Sequence, residues 1–238
     1  MLIVSAQKAV GEILDPKMRQ VFWKTLGLTI LALIIIWNLV TAGLETFAVP
    51  FISEWFASFS LPDWTGTMGL FAAIFAGLGL AVGLAFLIGP VSAVIAGLFL
   101  DDVAEHVESQ DYPNDKAGTA MPLGRSIIMS VKFFGIVILG NMFALMLLLV
   151  PGVNLIAFFA VNGYLLGREY FEFAAMRHHD VETVRMLRSR YSGTIIMGGL
   201  MIACFLAIPI VNLLTPLFGA ALMVHLHKAI ASKAQITQ

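Results

Sequence analysis

The sequence predicts an all-α integral membrane protein with two full transmembrane helices and two re-entrant (hemi-penetrating) helical hairpins. Three observations predict it. The chain is 59% hydrophobic and 12% charged, against about 25% charged in soluble domains. Its Lys and Arg residues avoid one loop completely. Two apolar stretches break in the same way, at Val150-Pro-Gly-Val-Asn-Leu-Ile156 and at Ile208-Pro-Ile-Val-Asn-Leu-Leu214.

The apolar segments run over 25–44, 66–89, 126–150, 153–167, 194–214 and 216–226. A hydrocarbon core needs roughly 20 residues of helix. Segments 25–44 and 66–89 meet that and are expected to be full spans. Segment 153–167 stops at Arg168 after about 15 residues, or about 22 Å of helix against a core of about 30 Å. The segment after Pro216 is shorter before His227 and Lys228. These arms predict hairpins over about 126–167 and 194–227, with a charged cap over about 168–193. The whole of 1–238 is expected to be one membrane domain. The first apolar run begins only after Lys24, so no cleavable leader is expected.

Charge sets the expected orientation. Residues 45–65 hold Glu45, Glu54 and Asp63 and no Lys or Arg; all fourteen basic residues lie elsewhere. Basic residues mark the cytoplasmic side. The N-terminus, residues 101–125, residues 168–193 and the C-terminus are therefore expected inside. Trp55, Phe56, Phe59 and Trp64 suit the outer interface.

The paired breaks carry the functional argument. Pro151 precedes Asn154, and Pro209 precedes Asn212, each in apolar chain. An unpaired polar group in lipid costs several kcal/mol, so a broken helix survives there only against protein or a wet cavity. Paired interruptions in repeated segments point to a solute path. Tight turns of ordinary helical hairpins would use the same residues. At the same offset of 58, Gly140 falls on Gly198.

The other features are less specific. Gly79 and Gly83 have the GxxxG spacing of close helix packing, and Pro90 can bend the second span. Asp101, Asp102, Glu105 and Glu108 read as a solvated helix end, with a turn expected over 111–115. His178-His179 and His225-x-His227 do not share a helix face within each pair. They read as interfacial histidines, with no metal expected. Cys204, the single cysteine, reads as a buried inert thiol. Phosphate loops, HExxH and CxxC are absent from the sequence, so no enzyme and no cofactor are expected. A net charge of −1 gives no bulk attraction for nucleic acid. Pro16 suits a helix start, where free N–H groups with Lys17 and Arg19 would hold an oxyanion. Cytoplasmic anchoring explains the same two charges.

These residues resemble the CysZ family of bacterial sulfate permeases, related to the eukaryotic etoposide-induced membrane proteins. The strongest likeness is Ile208-Pro-Ile-Val-Asn-Leu-Leu-Thr-Pro-Leu-Phe-Gly-Ala-Ala-Leu-Met-Val-His-Leu-His227, with residues 150–168 matching the earlier hairpin. The resemblance implies two long helices and two hemi-penetrating hairpins, sulfate uptake for cysteine synthesis, and homo-oligomers in the bacterial inner membrane. Sulfate-handling members resemble one another in a Pro-Gly-Leu-Arg-Arg run; here it reads Pro16-Lys17-Met18-Arg19-Gln20. Arg19 carries over, Lys17 replaces the glycine and Gln20 the second arginine. Ala96-Gly-Leu-Phe99 and Arg168-Glu-Tyr-Phe-Glu172 stand where the family shows Pro-Phe-Asn and Asp-Tyr-Pro.

The expected function is an inner-membrane permease or channel for a small inorganic oxyanion, sulfate first. Lys17, Arg19 and Gln20 would bind the substrate, and Pro151, Asn154, Pro209 and Asn212 would line the pore. The expected partners are sulfate, the lipid bilayer and further copies of the chain, with no nucleic acid. The alternative is a non-transporting membrane scaffold that recruits a partner through the 168–193 cap.

Overall fold

Pro16 begins the first long helix, as its fixed φ and missing N–H favour. A computed structural model describes residues 1–48, 50, 65–120, 153–208 and 211–234, and helical positions at 124, 128, 131, 135 and 142. The elements are α1 (Leu2–Ile13), α2 (Pro16–Gly43), a π-helical turn (Leu44–Ala48), α3 (Thr65–Gly97), α4 (Leu100–Asp111), α5 (Val153–Met176), α6 (Val181–Arg190), α7 (Ser192–Ala207), a 3-10 turn (Val211–Leu214) and α8 (Thr215–Ala234). No strand occurs among the described residues. The chain is an all-α membrane protein. It divides into two compact units, one of residues 1–26 with 93–238, the other of residues 27–92.

The 27–92 unit turns its apolar side chains outward. Leu28, Ile30, Leu31, Ile34, Ile35 and Leu39 of α2 are exposed. So are Phe71, Phe75, Leu78 and Val82 of α3. Lipid, unlike water, accepts such a surface. Polar side chains on α2 satisfy themselves locally, as hydrocarbon requires. Asn38 Nδ2 donates to the Ile34 carbonyl at 2.7 Å, and Thr41 Oγ1 to that of Trp37 at 2.9 Å. Residues 16–47 are long and apolar enough to cross a membrane, which fits the span expected over 25–44. Helix α3 contains the second expected span and continues through Pro90 for 33 residues, about 50 Å. Space around Gly79 and Gly83 is open, with no atom within 4 Å of an added Cβ. This GxxxG is not a packed seam within its unit.

The other unit is organised around α8, which packs against α1, α4, α5 and α7. Val211–Ala234 is also long and apolar enough to cross a membrane, yet most of its apolar stretch is buried inside the protein. The sequence argument ended this arm near His227 and Lys228 because charge normally marks water. The helix runs on to Ala234 because those residues are covered: His225, His227 and Lys228 are all buried. Glu12 Oε1 lies 3.0 Å from His225 Nε2, and Lys228 Nζ donates to Asp115 Oδ2 at 3.1 Å. Partners from distant chain carry the polar groups inward.

The tightest seam joins α5 and α7. Gly163 and Gly167 of α5 face Gly199 of α7. A Cβ on Gly199 would sit 1.9 Å from the Gly163 carbonyl oxygen, and one on Gly167 would sit 2.6 Å from that of Ile195. Only glycine allows backbones this close. Phe205 of α7 stacks on Phe218 of α8 at 3.9 Å between centroids. Helix α7 has 16 residues, about 24 Å. It meets α6 at an 87° bend around Tyr191.

Helix α1 is not announced by the apolar pattern. Its buried face is Ser5, Ala6, Ala9 and Glu12, a period that small residues fill as α1 lies on α8. The 168–193 stretch also differs from a solvent-facing cap. Phe171, Ala174, Ala175, Arg177, Val184 and Leu187 are buried, so one side of it builds the core. Helix α4 ends at Asp111, with the expected turn after it.

Candidate functional site

The start of α2 presents the expected anion-binding residues. Met18 is 1% exposed and anchors the first turn. Lys17, Arg19 and Gln20 around it are exposed. The first main-chain bond of the helix runs from Arg19 N to Asp15 O at 2.9 Å. The N–H groups of Lys17 and Met18 precede this bond, in the first turn, whose donors have no partner within the helix. A fixed turn thus offers two amide donors and two cations at one surface. Asp15 is tied off beside it, its Oδ2 lying 3.3 Å from His106 Nε2.

The expected pore residues are reached unevenly. Asn212 lies in the 3-10 turn, exposed, its N–H donating to Ile208 O at 2.9 Å. Its carboxamide therefore stands free of the unit's interior. Asn154 is the second residue of α5, but its side chain and the chain just before the helix lie outside the described residues. Pro151, Pro209, Trp55, Phe56, Phe59 and Trp64 also lie outside them.

A buried charge network holds the polar end of the same unit, and sequence reasoning missed it. Arg177 donates through Nε and Nη2 to both oxygens of Glu108 at 3.1 Å, and through Nη1 to Asp101. His178 Nε2 lies 2.9 Å from Glu108 Oε1, and Gly118 N donates to Glu108 Oε2 at 3.1 Å. Burial alone would raise the pKa of Glu108; hydrogen bonds from His178 and Arg177, with their charges, instead hold it down at about 2. Burial opposes the charge on Arg177, but Glu108 and Asp101 outweigh it and raise its pKa. Glu108 is thus not part of a solvated edge: four donors make its burial tolerable. The spacing of Asp101 and Glu108, seven residues apart on one helix face, was the available sequence signal.

Histidines gather beside this network. The ring of His227 stacks on that of His178 at 5.4 Å and meets that of His179 edge-on at 5.2 Å. His227 is fully buried, and neither ring nitrogen has a hydrogen-bond partner among the described residues. His227 is thus a core residue, with His178 and His179 partly buried against it, and not one of the interfacial histidines the sequence suggested.

The sequence profile of the family described as "Sulfate transporter CysZ/Etoposide-induced protein 2.4" matches residues 5–216. The chain belongs to that family. The match takes in nearly all of the 238 residues. No curated protein matches the chain. The CysZ/etoposide-induced match includes the start of α2, the Glu108–Arg177 network and both copies of the Pro and Asn repeat. It ends at Pro216, so the resemblance of residues 217–227 rests on the sequence alone. The family is one of transporter-like membrane proteins.

Proposed function

We propose that the protein is an inner-membrane permease for a small inorganic oxyanion, with sulfate the first candidate. The observation that carries this is the start of α2, where exposed Lys17 and Arg19 flank buried Met18 beside two free backbone donors. A helix start with added basic side chains suits a tetrahedral oxyanion. Gln20 adds a neutral donor in the same turn. The positive-inside bias puts this surface, both termini and residues 168–193 in the cytoplasm.

On this proposal Asn154 and Asn212 are the tip residues of the two re-entrant hairpins that the repeated sequence predicts. Their amides replace part of the anion's hydration along a narrow path. No fixed charge is placed there, which keeps binding weak enough for release. Exposed Asn212 needs a polar partner within a bilayer, and assembly of several copies around a path would supply one. The scaffold reading has less to stand on, because much of 168–193 faces the core and only α6 residues such as Val181 and Met186 offer exposed apolar surface.

The test is sulfate uptake into proteoliposomes. Wild type is expected to exceed empty vesicles, and Arg19→Ala to lower flux about tenfold, the loss of one charge-assisted contact. Flux equal to that of empty vesicles ends the proposal.

A further inference from the structure

Three ligating side chains from distant parts of the chain meet where α1, α4 and α8 join. Glu12 lies in the last turn of α1, Asp111 closes α4, and His225 sits in the middle of α8. One ligand atom from each lies within 4.8 Å of the other two. His225 Nε2 is 3.0 Å from Glu12 Oε1. Glu12 is 6% exposed and His225 1%.

Two details go beyond a packed ion pair. Glu12 Oε2 is buried and has no hydrogen-bond partner among the described residues. A carboxylate oxygen sealed from water and left bare is costly, and the packing of α1 does not account for it. The far side of the imidazole is already fixed: Tyr112 Oη lies 2.9 Å from His225 Nδ1. The phenol occupies Nδ1 and leaves Nε2 as the ring nitrogen that faces Glu12 and Asp111. A second hydrogen bond that sets the tautomer is the usual support of a metal-binding histidine.

The surrounding charges permit a cation. Lys8 Nζ donates to Asp111 Oδ2 at 2.5 Å, which leaves Oδ1 available. Lys8 and Lys228 each lie 5.5 Å from the centroid of the Tyr112 ring, and Lys228 is paired with Asp115. Two acids against one lysine leave the junction negative. One imidazole with two carboxylates is a mixed nitrogen–oxygen set. It suits a divalent first-row transition ion such as Zn2+ and not Mg2+, which prefers oxygen alone and keeps its waters.

We infer that Glu12, Asp111 and His225 form a binding site for one divalent transition cation, which clamps α1 to α4 and α8. The site is separate from the start of α2 and does not depend on what the protein transports.

The experiment uses the full chain in detergent, stripped with chelator and titrated with Zn2+. Metal content after desalting is expected to be one Zn2+ per chain, with a raised unfolding temperature. Co2+ in its place is expected to give a visible d–d band. Glu12→Gln and His225→Gln should each weaken Zn2+ binding at least about 100-fold, since even outer-shell changes cost 10–100-fold. Asp111→Asn, at a less buried position, provides the same loss if those variants fail to fold. The paired change of His178 and His179 to Ala should leave binding intact. No stoichiometric Zn2+ on wild type, binding that survives Glu12→Gln and Asp111→Asn, or binding lost with His178 and His179 would each overturn the inference.

Discussion

Gly199→Ala tests the geometry of the α5–α7 seam most directly. The new Cβ would lie 1.9 Å from Gly163 O, 2.5 Å from Gly167 N and 2.7 Å from Gly167 Cα. All three atoms are backbone, so no side chain can swing aside. Reaching even 3 Å requires the helices to part by about 1 Å. A gap of that size forfeits a quarter to a half of each dispersion contact along the seam. Overpacking a tight interior costs about 1–3 kcal/mol, and a rigid backbone contact belongs at the upper end. For a chain of this size that is a fall in unfolding midpoint of about 5–10 °C. The assay is thermal unfolding in detergent, with Gly193→Ala on the same helix as control, because its Cβ meets nothing within 4 Å. Gly198→Ala, whose Cβ meets only side-chain ends, Met223 Cε at 2.8 Å, Leu226 Cδ2 at 3.4 Å and Leu2 Cδ1 at 3.6 Å, should fall between the two. If Gly199→Ala were as stable as Gly193→Ala, the close approach of α5 and α7 would be wrong.

The remaining predictions follow from the polar interior and the breaks. Glu108→Gln leaves Arg177 buried without its main partner and should cost about 3–5 kcal/mol at neutral pH, read by the same unfolding assay. Because the pKa of Glu108 is lowered from 4.5 to about 2, its contribution is full above pH 4.5 and lost as pH falls toward 2; wild type should lose about 3 kcal/mol across that window, whereas Glu108→Gln should not. A parallel pH dependence in the two proteins would show that another group controls acid unfolding. His227→Phe removes two buried ring nitrogens without partners while keeping a planar ring against His178, so stability should hold or rise by about 1 kcal/mol; a large loss would mean those nitrogens are bonded. Asn212→Cys in a Cys204→Ser background should resist impermeant thiol reagents added from the outside, and complete labelling would make the second hairpin a pair of full spans.

Several features were legible in the chain because they depend only on local pattern. Apolar run length gave the helices of a membrane protein, Pro16 the start of α2, and the 111–115 turn the end of α4. The Pro209 and Asn212 pair gave the break between α7 and α8. Lys17 and Arg19 were placed at a helix start by one proline, and the structure keeps them exposed there.

What the sequence by itself determined is that the chain must live in lipid and be helical, because peptide groups in hydrocarbon have to bond within their own segment. Only the tertiary structure decided which polar residues go inside. Glu12, Glu108, Arg177 and His225 look like surface residues in the linear pattern, since each partner lies on another helix. Burying a charge is costly alone and tolerable in a complete set of bonds, and completeness is a property of three-dimensional neighbours. The same holds for the glycines: Gly79 and Gly83 carry the familiar spacing and stand in open space, whereas Gly163, Gly167 and Gly199 form the seam because their helices meet there.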